Sequence, residues 1–130
     1  MESSNVFTPT IQQVHADKRG EIYVIALPGD KELVLLHSAP GSLRGGHSHD
    51  VDEVVVMLTG KMRYHKRYED RSEAKLELKG GDSSFNRTGV HHMASFLEDS
   101  WLIEMKLNTQ KGAWKNIDYQ PWREQVQASG

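Results

Sequence analysis

Two histidines and a glutamate, His47, His49 and Glu53, fall in one seven-residue stretch, and all three side chains bind metals. They stand between a Gly/Pro-rich entry and a five-residue apolar run, Val54 to Leu58. A strand has a period of two, so His47 and His49 point to the same face. Glu53 shares their odd-numbered parity, although the turn-like Asp50-Val51-Asp52 between them could reset the register. Two imidazoles and a carboxylate aimed at one point are metal-site chemistry; without a metal the same residues would be a polar lining. A further ligand has to come from elsewhere in the chain, and His91-His92 is the place to look. Arg44, in the glycine-rich loop before the histidines, could steer an anionic substrate or be a solvated loop charge. Tyr64, on the apolar side of its segment, is either a packing residue or a general acid/base. Glu53, Tyr64 and Arg44 are the candidate catalytic groups. Ser84 and Asn86 would add hydrogen-bonding capacity to a pocket if they face inward.

The elements that must position these groups read as short strands. Apolar segments separated by Gly, Pro, Asn and Asp give Ile11–Val14, Glu21–Leu27, Glu32–His37, Glu53–Leu58, Lys61–Tyr68, Ala74–Lys79, Ser83–Asn86, His91–Leu97 and Trp101–Leu107. Leu76 and Leu78 are expected to face in. Trp101, Ile103, Met105 and Leu107 share a face, with Glu104 on the opposite one; Met57, Met62, Phe96, Trp101 and Met105 read most simply as core. Residues 1–10 read as an arm or edge strand, and Asp118–Gln127 as a short helix opening near Pro121. Many short strands with few helices predict an all-β sandwich or small barrel.

Composition narrows the function. The chain has 130 residues, enough for one domain with a single core. Sixteen basic against 18 acidic residues, formal net charge −2, leave no footprint for nucleic acid or an anionic membrane. The absence of cysteine excludes disulfides, iron–sulfur clusters and thiolate zinc sites. MESSNVFTPT lacks the basic-then-apolar order of a signal peptide, and no apolar run is long enough to span a bilayer. A cytoplasmic protein is the expectation.

The spacing Gly41, five residues, His47, one residue, His49, three residues, Glu53, six residues, Gly60 resembles the first motif of the cupin superfamily at every position. Gly81, Gly89 and His92 resemble the second motif, with Arg87 in place of its proline and Phe96 in place of its asparagine. The resemblance covers roughly residues 20–107. It implies a double-stranded β-helix, or jelly-roll, barrel over about 20–107, flanked by an N-terminal arm 1–10 and a C-terminal extension 108–130, all one domain. It implies a divalent transition metal (Fe, Mn, Ni, Zn, Cu or Co) held by His47, His49, Glu53 and His92, and a homodimer. His91, of opposite parity to His92, is expected to face the loop or solvent.

Mixed nitrogen and oxygen ligation suits any of those metals, and four protein ligands leave room for a bidentate substrate. The expected activity is that of a metal-dependent enzyme on a small oxygenated molecule (keto acid, diketone, enediol or sugar-like), either a dioxygenase or a non-redox isomerase or lyase. Two alternatives stand beside it. Asp17–Glu21 and Arg44–His49 are loosely similar to segments of nucleotide-sugar ketoisomerases and epimerases that work without metal. A non-catalytic ligand-binding or sensory cupin is the other.

Overall fold

The computed structural model describes residues 8–29, 31–107, 116–118, 122 and 124. They form eleven strands, β1 (Thr10–Asp17), β2 (Gly20–Leu27), β3 (Lys31–Ser38), β4 (Leu43–His49), β5 (Glu53–Thr59), β6 (Lys61–Arg67), β7 (Glu73–Lys79), β8 (Ser83–Asn86), β9 (His91–Phe96), β10 (Ser100–Lys106) and β11 (Asn116–Asp118). All pairings are antiparallel, in a six-stranded sheet of order β1-β2-β3-β10-β5-β8 and a five-stranded sheet of order β11-β4-β9-β6-β7. This is the all-β jelly-roll barrel that the motif spacing implies. No helix among the described residues is long and apolar enough to cross a membrane.

The two sheets face each other across one core. Leu36, Val55, Met57 and Leu102 from the first sheet meet Met62, Tyr64, Leu78, Ala94 and Phe96 from the second. Each of these residues alternates along its strand with an outward neighbour, which is the pleat at work. Turns are set by glycines with positive φ. Gly60 (φ +89°) joins β5 to β6, and a Cβ there would meet Asp99 O at 2.5 Å and the Ser100 hydroxyl closer still. Gly45 (φ +99°) sits in β4, and a Cβ there would meet the His92 carbonyl oxygen at 2.7 Å. Glycine at 45 is therefore what lets the two histidine-bearing strands β4 and β9 approach each other.

Several sequence expectations are corrected. The first strand runs from Thr10 to Asp17 rather than Ile11 to Val14, and is exposed along its whole length. Leu78 is buried as expected, but Leu76 is exposed. In β10 the inward face is Leu102, Glu104 and Lys106; Trp101 and Met105, expected in the core, lie half-buried on the outside with Ile103. The run Trp101-Ile103-Met105 is the more apolar of the two faces, so parity found the right grouping while apolarity pointed to the wrong side. The outward face is apolar across β2 and β3 too, so apolarity does not mark the interior here. The expected helix Asp118–Gln127 falls mostly outside the described residues; its first residue, Asp118, instead closes β11, while Trp122 and Glu124 within its range are helical.

The segment after the barrel is tied to the histidine-bearing strands β4 and β9. β11 pairs with β4, setting Asn116 opposite His49 and Asp118 opposite His47. Trp122 is fully buried against Met93 and Leu43, outside the five-stranded sheet. Its Nε1 donates to Glu73 Oε1 at 2.8 Å, and its ring meets His91 edge-on at 6.1 Å between centroids.

Candidate metal centre and cavity

β4 carries His47 and His49 and β9 carries His92, and the register sets His47 directly opposite His92. Gly46 is the extra residue of a bulge between Gly45 and His47, which turns the last stretch of β4 without changing the shared face of the two histidines. The three rings converge, with centroids 4.8, 4.9 and 5.0 Å apart, and one nitrogen from each lies within 4.8 Å of the others. Glu53, the first residue of β5, completes the group from the opposite sheet. Its Oε2 lies 3.1 Å from His49 Nε2 and its Oε1 3.2 Å from His92 Nε2. The structure thus brings together all four residues expected as ligands.

The electrostatics suit metal ligation. Burial, reinforced by the charges of His92 and His49, pushes the His47 pKa down to about 3. Burial pushes His92 down to about 4 against the pull of Glu53. Both imidazoles are therefore neutral at pH 7, with lone pairs to give. Burial alone would raise the Glu53 pKa. The His49 hydrogen bond and the charges of His92 and Lys106 outweigh it and hold the carboxyl well below its usual range. His92 Nδ1 donates to the Val90 carbonyl at 3.3 Å, so its Nε2 carries the lone pair. That Nε2 is buried, accepts no hydrogen bond, and faces a carboxylate oxygen that is also an acceptor. Two lone pairs turned toward each other in a dry site call for a cation between or beside them. On this observation the four residues fit a divalent metal ion.

Around the cluster opens a cavity of about 490 Å³. Its wall is mostly apolar (Ile22, Val34, Leu36, Phe96 and Leu102 among others), with His47, His49, His92, Tyr64, Arg44, Arg19, Glu32, Glu104 and Lys106 as polar groups. A mostly apolar pocket with a few convergent polar groups is the usual form of a small-molecule site. Glu53 is not on that wall. It is fully buried behind the histidines, where Asn86 Nδ2 donates to its Oε1 at 3.1 Å and Lys106 Nζ stands 3.1 Å from Oε2.

Each remaining sequence candidate now has a place. Tyr64 points into the barrel and its ring lines the cavity, while its hydroxyl oxygen accepts from Asn86 Nδ2 at 2.7 Å. Burial, with the charges of Glu53 and Glu104, pushes that hydroxyl well above its ordinary pKa, so it stays protonated. Arg44 is buried, not a solvated loop charge. Its Nε donates to Ser38 Oγ at 2.7 Å and its Nη2 to the His37 carbonyl at 3.1 Å, and no carboxylate among the described residues pairs with it. Ser84 and Asn86 both face inward and are buried. His91 points outward, against Trp122.

Glu104 and Lys106 were not among the sequence candidates. The signal that could have found them is the strand period: two charged residues two apart, on the face opposite Trp101-Ile103-Met105, share one side of a strand whose other side is already accounted for. Pairing of β10 with β5 then sets Lys106 opposite Glu53 and Glu104 opposite Val55.

No family model and no curated protein sequence matches this chain. Solved structures do. The capsular polysaccharide assembling protein CapF from Staphylococcus aureus superposes with a TM-score of 0.70 at 17% identity, over 88% of this chain and 32% of that one. KdgF from Halomonas sp. superposes with a TM-score of 0.61 at 22% identity, over 75% of this chain and 84% of that one. A single-residue variant of oxalate decarboxylase from Bacillus subtilis superposes with a TM-score of 0.62 at 19% identity, over 81% of this chain and 31% of that one. The chain spans about a third of the length of CapF and of oxalate decarboxylase. At these identities the likeness is one of fold.

Proposed function

We propose that this chain, a cupin by its fold, is a metal-dependent enzyme acting on a small oxygenated substrate that carries a negative charge. The observation that carries this reading is the cluster of three histidines, His49 and His92 buried and His47 partly buried, with His47 and His92 neutral at pH 7, opening onto a cavity large enough for a small molecule. His47, His49, Glu53 and His92 would hold the metal, and a divalent ion there would supply Lewis acidity toward a substrate oxygen. Arg44 would bind the anionic group. A buried guanidinium with no carboxylate partner is costly, and a substrate carboxylate on the cavity side would offset that cost through charge-assisted hydrogen bonds. Keto acids, diketones and sugar acids have this combination of oxygens and charge. Structural neighbours that include an oxalate decarboxylase support an enzyme-like use of the fold without selecting the reaction.

One observation favours a second reading. Arg19, from the β1–β2 turn, and Arg44 line the same cavity, so the two segments similar to metal-independent nucleotide-sugar enzymes do meet at one place. Chelation separates the two. With a panel of 2-keto acids, diketones and sugar acids, turnover by the metal-loaded chain is expected to vanish on chelation and return with added metal. Turnover that survives chelation would overturn the metal-dependent reading. Oxygen uptake during turnover then distinguishes a dioxygenase from an isomerase or lyase.

A homodimer belongs to the same proposal. The outward face of the six-stranded sheet is apolar over Tyr23, Ile25, Leu33, Leu35, Ile103 and Met105, and extends to Phe85, 49% exposed, and Ile11, 61% exposed. Strands apolar on both faces are usually covered on both, and an apolar patch of this extent marks an interface. Ile103, paired with Leu35 and Val56, lies at its centre. Ile103→Asp is expected to halve the mass measured by light scattering while leaving the far-ultraviolet spectrum unchanged. A wild-type chain that is monomeric at micromolar concentration, or a variant that stays dimeric, would refute the assignment.

A further inference from the structure

Glu104 is a carboxylate where the barrel needs an apolar side chain. It lies on the inward face of β10, next to Leu102, with Val34 opposite it on β3 and Val55 opposite it on β5. It lines the same cavity as the three histidines. Its contact with Lys106 is a long one, 3.5 Å from Oε2 to Nζ, and that ammonium is closer to Glu53, at 3.1 Å. Glu104 therefore shares a counter-ion whose nearer partner is the metal-cluster carboxylate. A largely buried ion pair of this kind is no better for stability than well-packed apolar residues of similar volume. Leucine or valine at 104 would continue the wall that Val34, Val55 and Leu102 make. Packing therefore gives no reason for a carboxylate at this position, whereas proton transfer to and from a molecule in the cavity does.

We infer that Glu104 is the residue that takes a proton from, and returns it to, the carbon beside a carbonyl in a substrate held against the histidine cluster. The inference rests on the metal-dependent reading above and adds the reaction type. The C–H bond breaks and the proton goes to a Glu104 oxygen. The electron pair stays on the substrate, delocalised onto its carbonyl oxygen as an enolate. Returning the proton to the same carbon regenerates the substrate, and returning it to a neighbouring atom isomerises it. No oxidant is consumed. The charged and titratable groups facing Glu104 are consistent with this role. Lys106 on its own strand neutralises it in part, the charges of Glu53 on β5 and His49 on β4 act on it, and it acts in turn on Arg44 of β4 and Tyr64 of β6 in the same cavity.

The test is hydrogen exchange in D₂O, followed by NMR, on pyruvate, 2-oxobutyrate and 2-oxoglutarate with the zinc- or manganese-loaded full chain. Wild type is expected to exchange the protons beside the carbonyl of at least one of these. Glu104→Gln is expected to slow that exchange by roughly 100-fold or more, in the rate at saturation rather than in KM, with metal content and melting temperature unchanged. Glu104→Asp is expected to recover part of the rate. Exchange by Glu104→Gln at the wild-type rate overturns the inference, as does metal-loaded wild type that exchanges none of the three probes. A Glu104→Gln chain that loses its metal or melts early shows the residue to be structural and overturns it too. A wild-type chain that binds no metal overturns the metal reading instead, and elemental analysis of the same samples tells the two failures apart.

Discussion

His92→Ala should lose its metal. Untagged wild-type protein is expected to carry about one transition-metal ion per chain, as four converging nitrogen and oxygen ligands would hold, and the variant to carry almost none. Losing even an outer hydrogen-bond partner of a metal ligand costs about 10–100-fold in affinity, so removing a direct ligand should cost at least about 100-fold. The neighbouring position provides the control. His91 points out of the barrel against Trp122, so His91→Ala should keep its metal. Elemental analysis of the three proteins, purified identically, decides the matter. Equal metal in all three, or none in any, would remove the basis for the site. Loss in His91→Ala but not in His92→Ala would place the metal on the other side of the strand.

Glu53→Leu should be the most destabilising single change in the barrel. The carboxylate is fully buried and is the common neighbour of four side chains: His49 at 3.1 Å, His92 at 3.2 Å, Asn86 at 3.1 Å and Lys106 at 3.1 Å. Its removal takes from the Lys106 ammonium, whose side chain is 8% exposed, the nearer of its two carboxylate partners and leaves Glu104 at 3.5 Å. Breaking a buried pair by deleting one partner costs about 3–5 kcal/mol. Urea unfolding of the metal-free proteins measures this without the contribution of bound metal. Glu53→Gln keeps the shape and some hydrogen bonding and should fall between the two. A Glu53→Leu chain as stable as wild type would mean that this carboxylate does not hold the interior charges together.

Much of this centre could be read in the residues alone because strand geometry is local. A period of two puts His47 and His49 on one face whatever surrounds them, and Gly45 in the structure shows why glycine precedes them: any side chain there would strike the backbone of His92. The fold followed from short apolar segments with turn residues between them, and from two motifs at fixed spacing. The inward positions of Ser84 and Asn86 were legible only as a condition, since four residues of alternation do not say which side is inside.

β10 shows where such reading stops. Alternation sorted Trp101, Ile103 and Met105 from Leu102, Glu104 and Lys106, and apolarity named the first group as the interior. The structure reverses this, because the sheet's outward face is apolar as well and its inward face borders a cavity whose apolar wall carries a few charged groups. Which face of a strand looks inward is decided by its neighbours in the sheet and by the sheet opposite, and both are distant in sequence. The same holds for Arg44, a loop charge by its sequence neighbours and a buried guanidinium once Ser38 and His37 lie over it. By itself the sequence determined the residue types of the cluster, the shared face of its two β4 histidines and the barrel class, all of which depend on residue chemistry and on spacing along the chain. The tertiary structure alone decided that Glu53 stands behind the histidines, that Lys106 ties it to Glu104, and that Glu104 reaches the cavity. Those relations join strands far apart in the chain, and they exist only once β5, β9 and β10 are brought into register.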